Sequence, residues 1–329
     1  MRVINFKNVY LSDAATVVGK TEKDGPLAQY FDLCEEDCYF GQKTWESAES
    51  EMCRSALNIL LAKTKMRDTD IELILGGDLL NQCTATGFAA STVPIPYLGL
   101  YGACSTIVEG ILIASVFVDS GSTKNAIAMA SSHFCSSERQ FRFPLEYGAQ
   151  RTPTAQNTVT GAGAYLLQTE KSPFKIKNAC VGKVNINGIT DSNNMGAAMA
   201  TAAVDTILSY FDGNADKPED FDIISTGDLG REGYEVACEL FKKNNFDLKG
   251  KFTDCGMLMY DLEKQDVNSG ASGCGCAACV CGGLYLDKLK NGVAKKILLV
   301  GTGAMLSPKT VLQKLPIPSI AHAVCIERI

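Results

Sequence analysis

The chain has 329 residues, 46% of them hydrophobic and 21% charged, with a formal net charge of −6. That is an ordinary globular balance with room for two domains or two fused half-domains. The negative charge excludes whole-molecule attraction to nucleic acid or anionic lipid, so an anionic ligand would need locally clustered Lys or Arg. The opening residues MRVINFKNVY hold no signal-peptide core, and the most apolar stretch, ILIASVFV at 111–118, is far shorter than a bilayer span. The expectation is a soluble protein, held at any membrane by partners. The 14 cysteines then read as reduced thiols, mostly small packing residues.

In chain order, residues 44–66 place Trp45, Ala48, Met52, Ala56, Ile59 and Leu60 at three- and four-residue steps, which predicts a helix with a core-facing stripe. LILGGDLL at 73–80 is an apolar run closing on Gly-Asp-Leu, as a buried strand closes on a turn, with Asp78 at its end. GLYGACSTIVEGI at 99–111 passes from an extended stretch into a helix, with Cys104 near the first turn. Helix N–H groups there stabilise a thiolate and make a nucleophile; the alternative is a small buried Cys at a tight helix–strand contact. KNAIAMASS at 124–132 predicts a buried strand with His133 just beyond it, structural or facing a ligand. Residues 134–157 read as a long aromatic-rich connection carrying Arg139, Arg142 and Arg151. A connection of that length is functional or interface-forming, and guanidinium forks suit carboxylates.

GAGAYLLQTE at 161–170 predicts a strand, and the break between halves falls near Lys171–Phe174, dividing the chain into 1–172 and 173–329. Residues 195–210 carry a second stripe of Met199, Ala203, Ile207 and Tyr210. IISTGDLG at 223–230 is a second strand closing on Gly-Asp-Leu, with Asp228 at its end. CGCAACVC crowds Cys274, Cys276, Cys279 and Cys281 into eight residues, a spacing that cannot easily aim all four at one ion, so no metal site is expected. KKILLVGTG at 295–303 has Gly301 and Gly303 but lacks the third glycine of a dinucleotide fingerprint, and no cofactor is expected. SIAHAVCIERI at 319–329 is the last strand and carries His322.

Three of these strands match in pairs and in one order: 73–80 with 223–230, 124–132 with 295–303, and 161–170 with 319–329. That pattern argues for a duplicated half-domain of roughly 160 residues. Strands alternating with helices predict an α/β fold with a largely parallel sheet covered on both faces, and two such halves give an α/β/α/β/α layered body.

A paired half-domain with a Cys at the start of the first half's central helix resembles the thiolase superfamily, which includes thiolases and ketoacyl-acyl-carrier-protein synthases. GACSTIVEGI matches the nucleophile segment, NSGASGCG at 268–275 the late Asn-containing loop, and VGTGAMLSP at 300–308 the late glycine-rich strand. The chain departs from that pattern where catalysis needs it. After the strand FDIIST, where synthases place a His, it reads Gly227-Asp228. The thiolase loop aligns on Asn268, Gly270, Ala271 and Gly275 and then has Cys276 in place of its His, and no second catalytic Cys stands near Leu299–Val300. Cys104, Asn268 and Cys276 are therefore read as vestigial, lacking a proton shuttle.

GGDLLNQ, PYLGLYGACST, STGDLGREGYE and the whole stretch 131–164 closely resemble the stage V sporulation protein AD family, thiolase-fold proteins of endospore formers. The resemblance implies binding of dipicolinic acid (pyridine-2,6-dicarboxylate) and service in its uptake into the developing spore, with membrane proteins of the same operon as partners. It implies a cytoplasmic or forespore location, peripheral at the inner spore membrane through those partners. The resulting reading is a homodimeric, non-catalytic binder whose old substrate pocket takes the ligand. Candidate contacts are Cys104, His133, Asp78, Arg139, Arg142, Arg151 and the backbone N–H groups at the Cys104 helix start. The exposed sheet edge that pairs in the dimer is expected at Ile127–Ala130. Two alternatives stand beside this reading: an acyltransferase or condensing enzyme using Cys104 with Asn268, and a scaffold for membrane partners.

Overall fold

The computed structural model describes residues 2–141 and 151–329. Its strands are β1 (Arg2–Asn5), β2 (Tyr10–Val18), β3 (Leu33–Cys34), β4 (Ile74–Gly77), β5 (Tyr97–Gly99), β6 (Asn125–Ser132), β7 (Asn157–Thr158), β8 (Gly161–Gln168), β9 (Phe174–Val181), β10 (Ile223–Thr226), β11 (Phe252–Asp254), β12 (Ala271–Ser272), β13 (Lys296–Ala304) and β14 (Ser319–Arg328). One hydrogen-bonded path runs β11-β10-β13-β14-β9-β2-β8-β6-β4-β5, with β1 added on β9 and β3 on β2. Read from the middle outward, the order 2-8-6-4-5 mirrors 9-14-13-10-11, so each matched pair of strands holds the same place in its half.

The sheet is mixed rather than largely parallel. β4 runs parallel to β5 and β6, and β10 runs parallel to β11 and β13. The last strand of each half is inserted antiparallel to both neighbours, β8 between β2 and β6 and β14 between β9 and β13. The expected edge at Ile127–Ala130 is also corrected. Those residues lie in β6, paired on one side with β4 and on the other with β8, and all are buried. The edge of the first half is β5, because the crossover after β4 carries the chain outward before it returns to form β6.

Apolar side chains sort into three buried clusters. One packs the helix Trp45–Thr64 (Met52, Ala56, Leu60) on Ile74, Ile127 and Ala162. A second packs the helix Met195–Asp212 (Ala198, Met199, Ala203) on Leu298 and Ala323. The third lies between the two halves and is built on the largely buried helix Thr106–Asp119 and the wholly buried helix Cys274–Val280. These clusters fill the spaces of a five-layer α/β/α/β/α body. The outer helices begin at polar caps: Thr44 accepts from Ser47 N at 3.2 Å and Asn194 from Ala197 N at 3.3 Å. Residues 134–141, expected within a long loop, form a helix instead (Phe134–Phe141). His133 starts it, taking the Cys135 N–H on Nδ1 at 3.2 Å while its carbonyl accepts from Ser137 N at 3.0 Å.

Among the described residues no helix is long and apolar enough to cross a membrane.

Candidate functional site

The C-terminal ends of β4, β6 and β13 converge on one cavity, where ligands sit in open α/β sheets. It encloses about 310 Å³ and is lined from both halves: Leu79 and Asn81 after β4, Ala103 and Cys104, one face of the Phe134–Phe141 helix (Ser137, Glu138, Phe141), Thr158 and Ser272 on the small sheet, and Ala304–Pro308 after β13. Tyr101, Ser192 and Met195 complete the lining.

Cys104 reaches the cavity floor because the backbone there is unusually close-packed. Ala103 takes the left-handed conformation (φ 51°), Cys104 sits in a short 3-10 turn, and the α-helix starts only at Thr106. Gly301 and Gly303 of β13 press on this turn. A Cβ on Gly303 would stand 2.6 Å from the Gly102 carbonyl oxygen, and one on Gly301 would stand 2.7 Å from Val108 Cβ. The late glycine-rich strand therefore seats the Cys104 turn against the second half.

The Cys104 thiol faces no imidazole; its neighbours are the Ser272 hydroxyl and the Asp228 carboxylate. Its Sγ lies 3.8 Å from Ser272 Oγ, and Ser272 Oγ donates to Asp228 Oδ2 at 3.0 Å. Gly273 N donates to the same oxygen at 3.0 Å, and Thr302 Oγ1 donates to Asp228 Oδ1 at 2.7 Å. Burial, then the neighbouring Asp228 carboxylate, push the thiol well above the usual range, against the sign expected at a helix start. Desolvation also raises Asp228, to about 7, against the lowering effect of its hydrogen bonds to Cys104, Thr302 and Gly273.

Ser272 and Thr302 were not singled out in the sequence; Asp228 was, but as the place of a missing His. The signal was present in that substitution, since a polar side chain at that strand end holds Ser272, which lines the cavity.

The other sequence candidates lie elsewhere. Asp78 is buried and accepts from Leu80 N, Thr86 N and Thr86 Oγ1, so it caps the helix Thr84–Ala90. His133 is 1% exposed, with Nε2 on the Cys38 carbonyl oxygen at 2.8 Å, and burial lowers its pKa. A ring with Nδ1 accepting and Nε2 bound to a carbonyl is neutral and pinned away from the cavity. Arg139 points outward, paired with Glu46 and lying over the Trp45 ring at 5.1 Å. Arg151 stands behind the wall: it donates to Asn157 Oδ1 at 2.7 Å and to the Gln156 carbonyl, and its Nη2 is 3.5 Å from Glu138 Oε1. Arg142 lies outside the described residues. Asn268 is at a left-handed turn position (φ 52°) and is absent from the cavity lining. Cys276 is buried behind it, donating to the Gly227 carbonyl at 3.3 Å. Among the described residues, Glu138 is thus the one charged side chain on the cavity wall.

The cysteine cluster packs. Cys274 donates to the Ala103 carbonyl at 3.0 Å and Cys279 to the Ala162 carbonyl at 3.6 Å. Among the described residues no group of His, Cys, Asp or Glu could hold a metal ion.

A family model described as Stage V sporulation protein AD (SpoVAD) matches residues 2–327. The chain belongs to the stage V sporulation protein AD family. It is 42% identical over 320 residues to Stage V sporulation protein AD of Bacillus subtilis (strain 168), covering 97% of this chain and 94% of that protein. Solved structures with the same fold include 3-oxoacyl-(acyl-carrier-protein) synthase III from Aquifex aeolicus VF5, with a TM-score of 0.58 and 14% identity over 97% of this chain and 99% of that one. Cerulenin-bound OleA from Xanthomonas campestris gives a TM-score of 0.62 with 14% identity, covering 98% of each chain. The fold is thiolase-like, and the family is a sporulation family.

Proposed function

We propose that this member of the family is a non-catalytic binder of dipicolinate that serves its uptake into the developing spore, with the thiolase-like cavity as the binding site. The observation that carries the reading is Ser137. It is 2% exposed, it lines the cavity, and its Oγ has no hydrogen-bond partner among the described residues. A buried hydroxyl left unpaired is costly, which supports a ligand in the cavity as its partner. The remaining wall suits a flat ring bearing acceptors. Leu79, Phe141, Met195 and Leu306 supply apolar surface, while Asn81, Tyr101, Thr158, Ser272 and Ser307 supply neutral polar groups.

The sequence led us to expect guanidinium groups on the ligand, but neither Arg139 nor Arg151 lines the cavity. In this reading the carboxylates are held by hydroxyl and amide donors, with Arg151 steadying the wall from behind. A raised Cys104 thiol without a His favours binding over acyl transfer. Titration calorimetry with dipicolinate tests the reading: saturable heat in the wild type, weakened at least about threefold in Ser137→Ala by loss of one hydrogen bond, supports it. No heat and no thermal shift at millimolar ligand would end it.

A further inference from the structure

Among the described residues the cavity lining holds no Lys or Arg, so an anionic ligand depends on which way its hydroxyls point. Ser272 is the hydroxyl whose direction the structure controls. Its Oγ faces the cavity and Cys104 on one side, and Asp228 Oδ2 at 3.0 Å on the other. We propose that Asp228 is the specificity-determining residue for anion binding: its protonation turns the Ser272 hydroxyl from an acceptor facing the cavity into a donor facing the ligand, so an anion binds together with one proton. This rests on the ligand-binding reading above and adds the regulation of that site.

The hydrogen-bond geometry fixes where the proton goes. With Asp228 ionised, Ser272 commits its one O–H to Oδ2 and offers only lone pairs to the cavity. Thr302 is fully buried and commits its O–H to Oδ1 at 2.7 Å, while its oxygen accepts from Asp228 N at 3.1 Å. A proton on Oδ1 would strip the Thr302 hydroxyl of its acceptor inside the core. A proton on Oδ2 leaves the Thr302 bond intact and weakens only the one from Gly273 N, which the remaining lone pair of that oxygen still accepts. Oδ2 then donates to Ser272 Oγ, and the Ser272 O–H swings into the cavity, where a carboxylate accepts it. No bond other than O–H is made or broken, and the proton comes from solvent.

Of the titratable groups around Asp228, Asp254 raises its proton affinity while the hydrogen bond with Cys104 lowers it. Cys104 and Cys276 have thiols pushed up by burial and stay neutral, as does Cys274 beside them, and Asp254 adds negative field from the neighbouring strand end. Glu138 faces across the cavity, with Arg151 behind it. Asp228 itself titrates near 7, so the switch operates at ordinary pH.

The test has two arms on the full-length protein. In calorimetry, dipicolinate binding measured from pH 6 to 8.5 in buffers of different ionisation enthalpy should take up one proton above pH 7, with affinity falling by up to about tenfold per pH unit. The second arm needs no dipicolinate. The ratio of Cys104 alkylation by iodoacetate, an anion, to that by neutral iodoacetamide, read by peptide mass, should fall as pH rises through 7. The thiolate fraction cancels in that ratio. Ser272→Ala removes the switching hydroxyl, and Asp228→Asn, whose Nδ2 donates as the protonated acid does, fixes it; both should flatten the pH dependence. A pH-dependent ratio flattened by these variants, with no dipicolinate heat at any pH, leaves the switch standing and removes dipicolinate as the ligand. Dipicolinate binding without proton uptake, or a ratio with the same pH dependence in wild type and variants, overturns the switch.

Discussion

Asp78 and Asp228 follow the equivalent strands β4 and β10, and their carboxylates do different work. Asp78 turns onto its own half and holds Leu80 N at 2.9 Å and Thr86 N and Oγ1 at 2.8 Å. Asp228 reaches into the junction and holds Ser272, Gly273 and Thr302. One duplicated residue became a helix cap and the other the support of a cavity residue, Ser272.

Asp78→Ala should therefore act on stability alone. It leaves two N–H groups, of Leu80 and Thr86, without their acceptor, which costs about 1–3 kcal/mol. Denaturant unfolding should show that loss, while dipicolinate affinity under native conditions stays at the wild-type value. A large affinity loss would place Asp78 in the binding site after all.

Cys104→Ala should fold and cost about 1–2 kcal/mol, as a small core truncation does. Incubation of the wild type with an acyl thioester should leave the intact mass unchanged. A mass increase that maps to Cys104 and is lost in the variant would instead establish the acyltransferase alternative.

Stability should rise as pH falls from 8 toward the imidazole range, below which buried His133 and His322, both lowered by desolvation, act in the opposite sense. Burial lifts Glu22 and Asp228 to about 7, Asp254 to about 6, and Glu49 likewise upward. Each folded-state value lies above the unfolded one, so the folded protein binds these protons more tightly. Their contribution is complete below the unfolded carboxylate range and is lost as pH climbs through the folded values. Paired carboxylates with lowered values, such as Asp70 at about 2 and Asp216 beside Lys177 and Lys296, act in the opposite sense and weaken the fold only in strong acid. Melting temperature against pH should peak in mild acid, and Glu22→Gln should shallow the fall on the alkaline side. A curve rising from pH 5 to 8 contradicts this.

Arg151→Ala should weaken dipicolinate and picolinate by the same factor. Arg151 holds the Asn157 side chain and the Gln156 carbonyl rather than facing the cavity, so its loss loosens the wall for any ligand. Picolinate should itself bind at least about tenfold more weakly than dipicolinate in both proteins, since a second donor set goes unpaired. Selective loss of dipicolinate in the variant would mean that Arg151 reaches the second carboxylate.

Light scattering at low micromolar concentration should give twice the 35.3 kDa chain mass. The edge that must pair is β5, whose Leu98 is 43% exposed. Leu98→Lys should shift the protein toward monomer, and a wild-type monomer would remove the dimer.

The strands and helices were legible because burial imposes a period on the chain: β6 and β13 are continuous apolar runs and are buried on both faces, while Met52, Ala56 and Leu60 form a stripe that packs as one. The Cys104 turn was legible from its glycines. What a linear pattern does not encode is the direction of long side chains. Arg139 and Arg151 sit near the cavity in sequence terms, yet one stacks on Trp45 and the other on Phe134. Ser272 was hidden for a related reason, since its partners Cys104 and Asp228 are 168 and 44 residues away. The antiparallel placement of β8 and β14 was equally invisible, because an apolar strand carries no mark of its orientation.

The small sheet of β7 and β12 joins Asn157 to Ala271 and Thr158 to Ser272, with Asn157 N on the Gly270 carbonyl at 2.7 Å and Val159 N on the Ser272 carbonyl at 2.9 Å. Two of the residues lining the cavity, Thr158 and Ser272, are supplied by this one seam. The seam takes one strand from each half. The cavity therefore exists only where the two halves meet, and a ligand that fills it samples the finished chain and no shorter part of it.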